Sequence, residues 1–273
     1  MPIGTSAMIC KTHDSLNLYY EVQGNPNAKK TIVFLNGLSQ STIAWILTTP
    51  HFKDNYRIVL MDFIFQGQSD KTGEWRNFDQ HAKDVLGLLN EIKADKIILA
   101  GLSYGSLVAQ HFAVLFPERL EKLILISTFA HKTPYYNAIE LAWWRALELG
   151  GYPLMLDIML PSVLSEEYFK NPLIPIELMK QARQETNSEK EALFKLMEAT
   201  KQRPDYRSEL KKIITPTLII QGEKDLLLPV HMAAEVGKNI SESQFKIILG
   251  AGHTLNLEAI PQMSAEMKDF IEK

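Results

Sequence analysis

The stretch KIILAGLSYGSLVAQHFAVLF, Lys96 to Phe116, decides how the whole chain is read. Its first half, Ile97 to Leu99, is a short apolar run rich in β-branched residues, the composition of a strand buried on both faces. From Tyr104 onward the pattern becomes that of a helix. Between the two halves stands Gly101-Leu102-Ser103-Tyr104-Gly105, a GxSxG pattern at a strand-to-helix junction. A serine on so sharp a turn takes a strained backbone, and strand and helix approach closely only if the residues two positions away lack a Cβ. The Ser103 hydroxyl is then held clear of the main chain, available as a nucleophile. A turn serine between packing glycines is the competing explanation, and the strand-helix context favours the first.

Outward from this junction, short apolar runs alternate with longer helical patterns, which implies α/β architecture: a mostly parallel sheet with helices on both faces. The runs are Thr31–Asn36, Arg57–Phe63, Lys96–Ser103, Leu123–Thr128, Thr217–Gly222 and Phe245–Gly250, all read as buried strands. Leu16–Val22 alternates in strand fashion before the turn-rich GNPNAKK, so the N-terminal strands are expected to form an antiparallel edge. Helices are expected at Phe78–Lys93, Tyr104–Phe116, Pro229–Asn239, with its proline at the first helical position, and Pro261–Ile271.

One stretch breaks this rhythm. From His131 to about Arg207 there is no strand pattern but two helical ones rich in Trp, Met and Leu, which predicts an inserted helical lid. The domain organisation expected is therefore a first core part at 1–130, a lid at 131–207 and a second core part at 208–273. Trp143, Trp144, Met155, Met159, Met179 and Met197 are candidates for an apolar substrate wall, since thioethers and large rings adapt to irregular guests. The two tryptophans are carried forward as substrate-binding candidates. Packing of lid on core is the alternative role for each of them.

A serine hydroxyl is a weak nucleophile until a base takes its proton, and at neutral pH the apt base is an imidazole. Of the seven histidines, His253 stands out. It follows the run FKIILG in Gly250-Ala251-Gly252-His253, a loop able to present a side chain over the C-terminal edge of the sheet. A carboxylate should precede it in the chain to fix the imidazole tautomer. Asp225, in Gly222-Glu223-Lys224-Asp225 just past TLIIQG, fits, with Glu223 as its rival. Acyl chemistry also needs main-chain N–H donors where an oxyanion forms. Tyr104 offers one as the residue after the serine, and Leu38, after Asn36-Gly37, is in position to offer the second.

Composition narrows the partners. A net charge of −3 and the lack of Lys/Arg runs give no footprint for nucleic acid, so a small molecule is the expected partner. Cys10 is the only cysteine, which excludes an intrachain disulfide and CxxC chemistry and favours a reducing compartment. The opening MPIGTSAMICKTHDSL has neither a basic n-region nor a sustained apolar stretch, so the protein is expected to be cytoplasmic, with no stable membrane anchor. No P-loop, HExxH or Cys/His cluster is present, and neither a cofactor nor a metal is expected.

With GLSYG, GEKD-LLLP and GAGHTLNLEAIP in this order, the sequence resembles the α/β-hydrolase family from about residue 15 to the end. The resemblance implies a core sheet of about eight strands, a site under the lid and an acyl-enzyme mechanism. The serine at 103 sets the chain apart from branches of similar fold that use an aspartate nucleophile. Two departures stand out: Asn36-Gly37 where many members have His-Gly, and Asp62-Phe63-Ile64-Phe65-Gln66-Gly67-Gln68-Ser69 where many have Asp-x-Arg-Gly-x-Gly-x-Ser. Both variants look like those of bacterial synthases that join hydroxyacyl chains into rhamnolipid precursors. The function expected is a serine hydrolase cleaving carboxylic esters or thioesters with apolar acyl chains. The alternatives are an acyltransferase using the same acyl-enzyme, a C–C bond hydrolase, and a non-catalytic binding protein on the same fold.

Overall fold

The computed structural model describes residues 6–181 and 187–273. Residues 1–5, part of the N-terminal stretch weighed above, and 182–186, inside the expected lid, lie outside the described residues. Eight strands form one sheet: β1 (Ser6–Lys11), β2 (Asn17–Gly24), β3 (Thr31–Leu35), β4 (Arg57–Met61), β5 (Ile97–Leu102), β6 (Leu120–Ile126), β7 (Thr217–Gly222) and β8 (Ser243–Ile248). Their spatial order is β1-β2-β4-β3-β5-β6-β7-β8. β1 and β2 pair antiparallel with each other and β2 antiparallel with β4, while every later pairing is parallel. The antiparallel edge expected from LNLYYEV is thus present, extended by β1.

The central strands are apolar on both sides because each side meets its own core. Successive side chains of a strand point to opposite faces. Val33, Leu35, Val59, Met61, Leu99, Leu123 and Leu125 therefore pack with helices α1 (Phe78–Glu91) and α2 (Tyr104–Leu115), through Val85, Leu88, Val108 and Phe112. Ile32, Phe34, Ile58, Leu60, Ile98, Ala100 and Ile124 pack the opposite way, against Trp45, Phe52, Met263, Met267 and Phe270. Each such fully buried side chain contributes roughly 1.5–3 kcal/mol. The run read as FKIILG is the exception. β8 forms the far edge of the sheet, and Ile247 and Leu249 are exposed. An apolar run alone does not distinguish an edge strand from a central one.

Between β6 and β7 lies the helical insertion: α3 (Pro134–Val163), α4 (Glu166–Lys170), α5 (Ile176–Gln181), α6 (Asn187–Gln202) and α7 (Arg207–Leu210). The first pattern is one long helix broken where Gly151 takes φ 69°, a left-handed value that glycine adopts without Cβ strain. After β7 come α8 (Val230–Asn239), α9 (Leu255–Glu258) and α10 (Ile260–Glu272). Pro229 is the residue before α8 and not its first turn, because its ψ of 147° is extended. Among the described residues no helix is long and apolar enough to cross a membrane.

Candidate active site

Ser103 stands at the C-terminal end of β5 with φ 51° and ψ −114°, a conformation that L-residues hold only when the surroundings impose it. Its surroundings do. The Ser103 amide donates to the Ile126 carbonyl at 2.8 Å, and its carbonyl accepts from the Ser106 hydroxyl at 2.6 Å. A Cβ on Gly101 would collide with the Gly105 carbonyl, and one on Gly105 with the carbonyls of Leu35 and Asn36. Both glycines of the pattern are therefore fixed by backbone approaching backbone.

The serine opens into a cavity of about 70 Å³ whose walls include Leu38, Gln40, Tyr104, Phe129, Tyr136, Trp143, Met159, Leu227 and His253. Among the described residues no Lys, Arg, Asp or Glu lines it. His253 Nδ1 lies 2.8 Å from Asp225 Oδ2. Asp225 is buried and also accepts from the Gln221 side-chain amide at 2.7 Å and the Leu228 backbone amide at 2.8 Å. With the carboxylate filling Nδ1 as acceptor, the imidazole carries its proton there and turns the Nε2 lone pair outward. Ser103 and His253 share the cavity wall, with no hydrogen bond between them among the described residues. A serine hydroxyl turns about a single bond, and such contacts commonly tighten only once substrate is seated.

Several groups that the sequence did not single out hold these side chains in place. The Ser127 hydroxyl donates to the His253 carbonyl at 2.7 Å. The Val163 carbonyl, at the end of α3, accepts from the amides of His253 and Thr254, both at 3.2 Å. The Leu227 amide, beside Asp225, donates to the Ser162 carbonyl at 3.0 Å. The helical insertion is thus tied directly to the loops carrying Asp225 and His253. Gly222 permits the two loops to meet, since a Cβ there would strike the carbonyls of Ala251 and Gly252.

The rival acid Glu223 is exposed and accepts from the Gly250 amide at 3.0 Å, which holds its carboxyl below its ordinary range. Its partner is the loop backbone, whereas the imidazole's partner is Asp225. Trp143 is on the cavity wall, but Trp144 is not. Its ring packs on Phe194 with centroids 4.7 Å apart, under the Lys201 ammonium. Adjacent helical residues point about 100° apart, so one residue of the pair faces in and the other out. Of the methionines, Met159 lines the cavity while Met155 and Met197 are buried in the core.

On the opposite wall, the amides of Leu38 and Tyr104 have no internal acceptor among the described residues. The Tyr104 side chain points away, into the core, where burial pushes its hydroxyl well above its ordinary pKa. Leu38 is held by a polar network under the loop. The Gln66 side-chain amide donates to the carbonyls of Gly37 at 2.8 Å and Leu38 at 3.0 Å. The Asn36 side-chain amide donates to the Met61 carbonyl at 2.8 Å, while its oxygen accepts from the Trp45 indole at 2.9 Å. Asp62 accepts from the amides of Thr42 at 2.8 Å and Gln68 at 2.9 Å, and burial still raises its carboxyl. Of the two departures noted in the sequence, Asn36 lies in this network, while the second, at Ile64 and Phe65, falls in the turn that presents Gln66.

Comparison with known proteins gives the family. The chain is 25% identical to an uncharacterized hydrolase, YugF, of Bacillus subtilis, covering 96% of each. It is 26% identical to a 2-hydroxy-6-oxononadienedioate/2-hydroxy-6-oxononatrienedioate hydrolase of Pseudomonas putida, covering 94% of this chain and 92% of that one. Among solved structures, a thermophilic esterase from Thermogutta terrifontis superposes with a TM-score of 0.86 at 25% identity, covering 98% of both chains. The sequence pattern of the alpha/beta hydrolase fold matches residues 30–260. The chain belongs to the alpha/beta hydrolase fold family and is an enzyme of that family.

Proposed function

We propose that the protein hydrolyses uncharged carboxylic esters with short acyl groups through an acyl-enzyme on Ser103. The observation that carries this reading is the meeting, at one small apolar cavity, of a strained serine with an imidazole whose far nitrogen is held by a buried carboxylate. In this mechanism His253 Nε2 takes the Ser103 proton as the oxygen attacks the ester carbonyl. The amides of Leu38 and Tyr104 bind the resulting oxyanion. Collapse of the tetrahedral intermediate expels the alcohol, which leaves with that proton. Water, deprotonated by the same imidazole, then attacks the acyl-enzyme, and the acid departs as Ser103 regains its proton. Asp225 holds the imidazole by Nδ1 and stabilises the imidazolium.

The walls support this substrate class. An apolar cavity of about 150 Å³ is known to hold benzene, so about 70 Å³ suits a short acyl group rather than a fatty chain. A dioate, as in the name of the Pseudomonas putida relative, would bring carboxylates to walls that offer no cation among the described residues, and burying an unpaired charge is costly. The name of the Thermogutta terrifontis protein, an esterase, agrees with the reading. The insertion acts here as a lid that excludes bulk water, with Trp143 and Met159 as its contribution to the wall.

The test is turnover of p-nitrophenyl acetate, butyrate and octanoate by wild type and Ser103→Ala, with fluorophosphonate labelling in parallel. Labelling confined to wild type, and loss of at least 10³-fold in kcat on substitution, are expected. Full turnover by Ser103→Ala would end the assignment.

A further inference from the structure

We propose that Gln66 is a positioning residue of the reaction: it aims the Leu38 amide at the oxyanion by clamping the carbonyls on either side of it. The inference rests on the reading of Leu38 as an oxyanion donor given above. Its physical basis is the planarity of the peptide. The Gly37 carbonyl and the Leu38 N–H belong to one trans peptide unit and point in opposite directions from it. Gln66 Nε2 holds the Gly37 oxygen at 2.8 Å, so the Leu38 N–H of the same unit is turned away from Gln66. The side of the loop away from this buried network faces the cavity, whose wall includes Gly37 and Leu38. The second N–H of the same side chain holds the next unit by the Leu38 carbonyl, at 3.0 Å. The unit before is held by the Gly37 amide, which donates to Gln40 Oε1 at 3.1 Å. Three successive peptide planes are thereby fixed by two glutamines.

Gln66 itself has little freedom. It is 1% exposed, and its oxygen lies 3.4 Å from both the Asn36 side-chain amide and the Phe63 backbone amide. The turn that presents it is tight: Phe65 takes φ 82° and Gly67 takes φ 44°, and a Cβ on Gly67 would enter the Asp62 carboxylate. A buried primary amide carries two donors and an acceptor, and here both donors go to the loop while the acceptor faces its neighbours. Asn36 fits the same device, since an amide at that position offers the donor that faces the Gln66 oxygen. Asn36 and Gln66 therefore act together, holding backbone for the reaction without touching substrate.

The test compares Gln66→Met, which keeps the volume and removes both donors, with Ser69→Ala. The latter removes the hydroxyl that joins the Asp62 carbonyl to the Tyr19 amide in the same loop and leaves the clamp intact. Small misplacement of a catalytic group costs up to about 10²-fold in rate. Gln66→Met is therefore expected to lower kcat on p-nitrophenyl acetate by about 30- to 100-fold with KM within twofold. Affinity for a trifluoromethyl ketone, whose adduct carries the oxyanion, is expected to fall in parallel. Ser69→Ala is expected to stay within threefold of wild type in all three quantities. Gln66→His, which returns one N–H, should recover part of kcat and also serves if the methionine variant does not fold. Wild-type kcat in Gln66→Met or Gln66→His, or equal losses in Gln66→Met and Ser69→Ala, overturns the proposal. Lack of fluorophosphonate labelling and turnover in the wild type itself would instead overturn the ester-hydrolase reading on which it rests.

Discussion

The two banks of the cavity are held in different ways. On one, Asp225 and His253 form a buried pair to whose side chains the proposed mechanism gives the proton transfer, and the surrounding Gln221, Ser127 and Val163 groups hold their positions. On the other, the working group is main chain. Asn36, Gln40 and Gln66 hold it with neutral amides, backed by the Asp62 carboxylate. Where a side chain must carry a proton, few residue types serve, and their order along the chain follows the strand ends. Where a backbone N–H does the work, many combinations of donors and acceptors hold the same loop equally well.

The largest expected effect breaks the first bank alone. In Asp225→Asn the amide N–H₂ would face Nδ1, which favours the tautomer protonated on Nε2 and leaves no base toward Ser103. A loss in kcat of about 10³- to 10⁴-fold is expected with the fold intact. Glu223→Gln should stay within about twofold. Steady-state kinetics on p-nitrophenyl acetate decides it, and comparable losses in both variants would remove Asp225 from its role.

This contrast also explains what was legible in the sequence. Ser103, Asp225 and His253, which the structure brings to one cavity, could be singled out because the proposed chemistry prescribes their types and the sheet prescribes their places. Leu38 could be read only by position, since its side chain is unconstrained by the role. Gln66 stands at a position the familiar pattern leaves free, beside the departures at Ile64 and Phe65, and its purpose needed the third dimension, because its partners at Gly37 and Leu38 are nearly thirty residues away. The strands from Thr31 to Ile126 declared themselves through apolar alternation meeting two cores. β8 misled because Phe245–Ile248 is equally apolar at an exposed edge. Trp143 and Trp144 could not be told apart, since which of two adjacent residues faces inward depends on helix rotation, which packing sets.

A second substitution tests whether the insertion supports both banks through a common base. Arg203, just past α6, is 7% exposed and makes no ion pair among the described residues. It donates to Gln110 Oε1 at 2.6 Å, His111 Nε2 at 3.3 Å and the Ala130 carbonyl at 3.1 Å, with its guanidinium over Tyr206. Gln110 in turn donates to the Thr128 hydroxyl, which pairs at 2.8 Å with the Ser106 hydroxyl that holds the Ser103 carbonyl. Burial lowers the Arg203 pKa to about 10. Arg203→Met strands three buried acceptors, each costing about 1–3 kcal/mol, offset in part by relief of the buried charge. A net loss of about 3 kcal/mol in urea unfolding is expected, with kcat per folded molecule within about threefold. An unchanged midpoint would show that the insertion holds its place without this contact.

The smallest effect separates a carboxylate that the site uses from one that the fold merely tolerates. Asp225 has an imidazole and two N–H donors. Asp84, on α1, is equally buried, yet its only close charge is Arg76 at 3.5 Å, and neither of its oxygens accepts a hydrogen bond among the described residues. Burial raises its pKa to about 7, against the opposing pull of Arg76. The neighbouring His81, packed on the Tyr104 ring, is driven down to about 3 by burial and by the Arg76 charge, and stays neutral. An acid with a raised folded pKa binds its proton more tightly in the native state. Its contribution is therefore greatest below the unfolded value near 4 and is lost as pH rises toward about 7. Asp84→Asn removes that dependence while keeping shape. The stability of wild type relative to Asp84→Asn should fall by about 2–3 kcal/mol between pH 4 and pH 8, measured by urea unfolding at each pH. A difference that stays flat, or rises with pH, would mean that Arg76 holds Asp84 ionised throughout, as a charge the structure has paired.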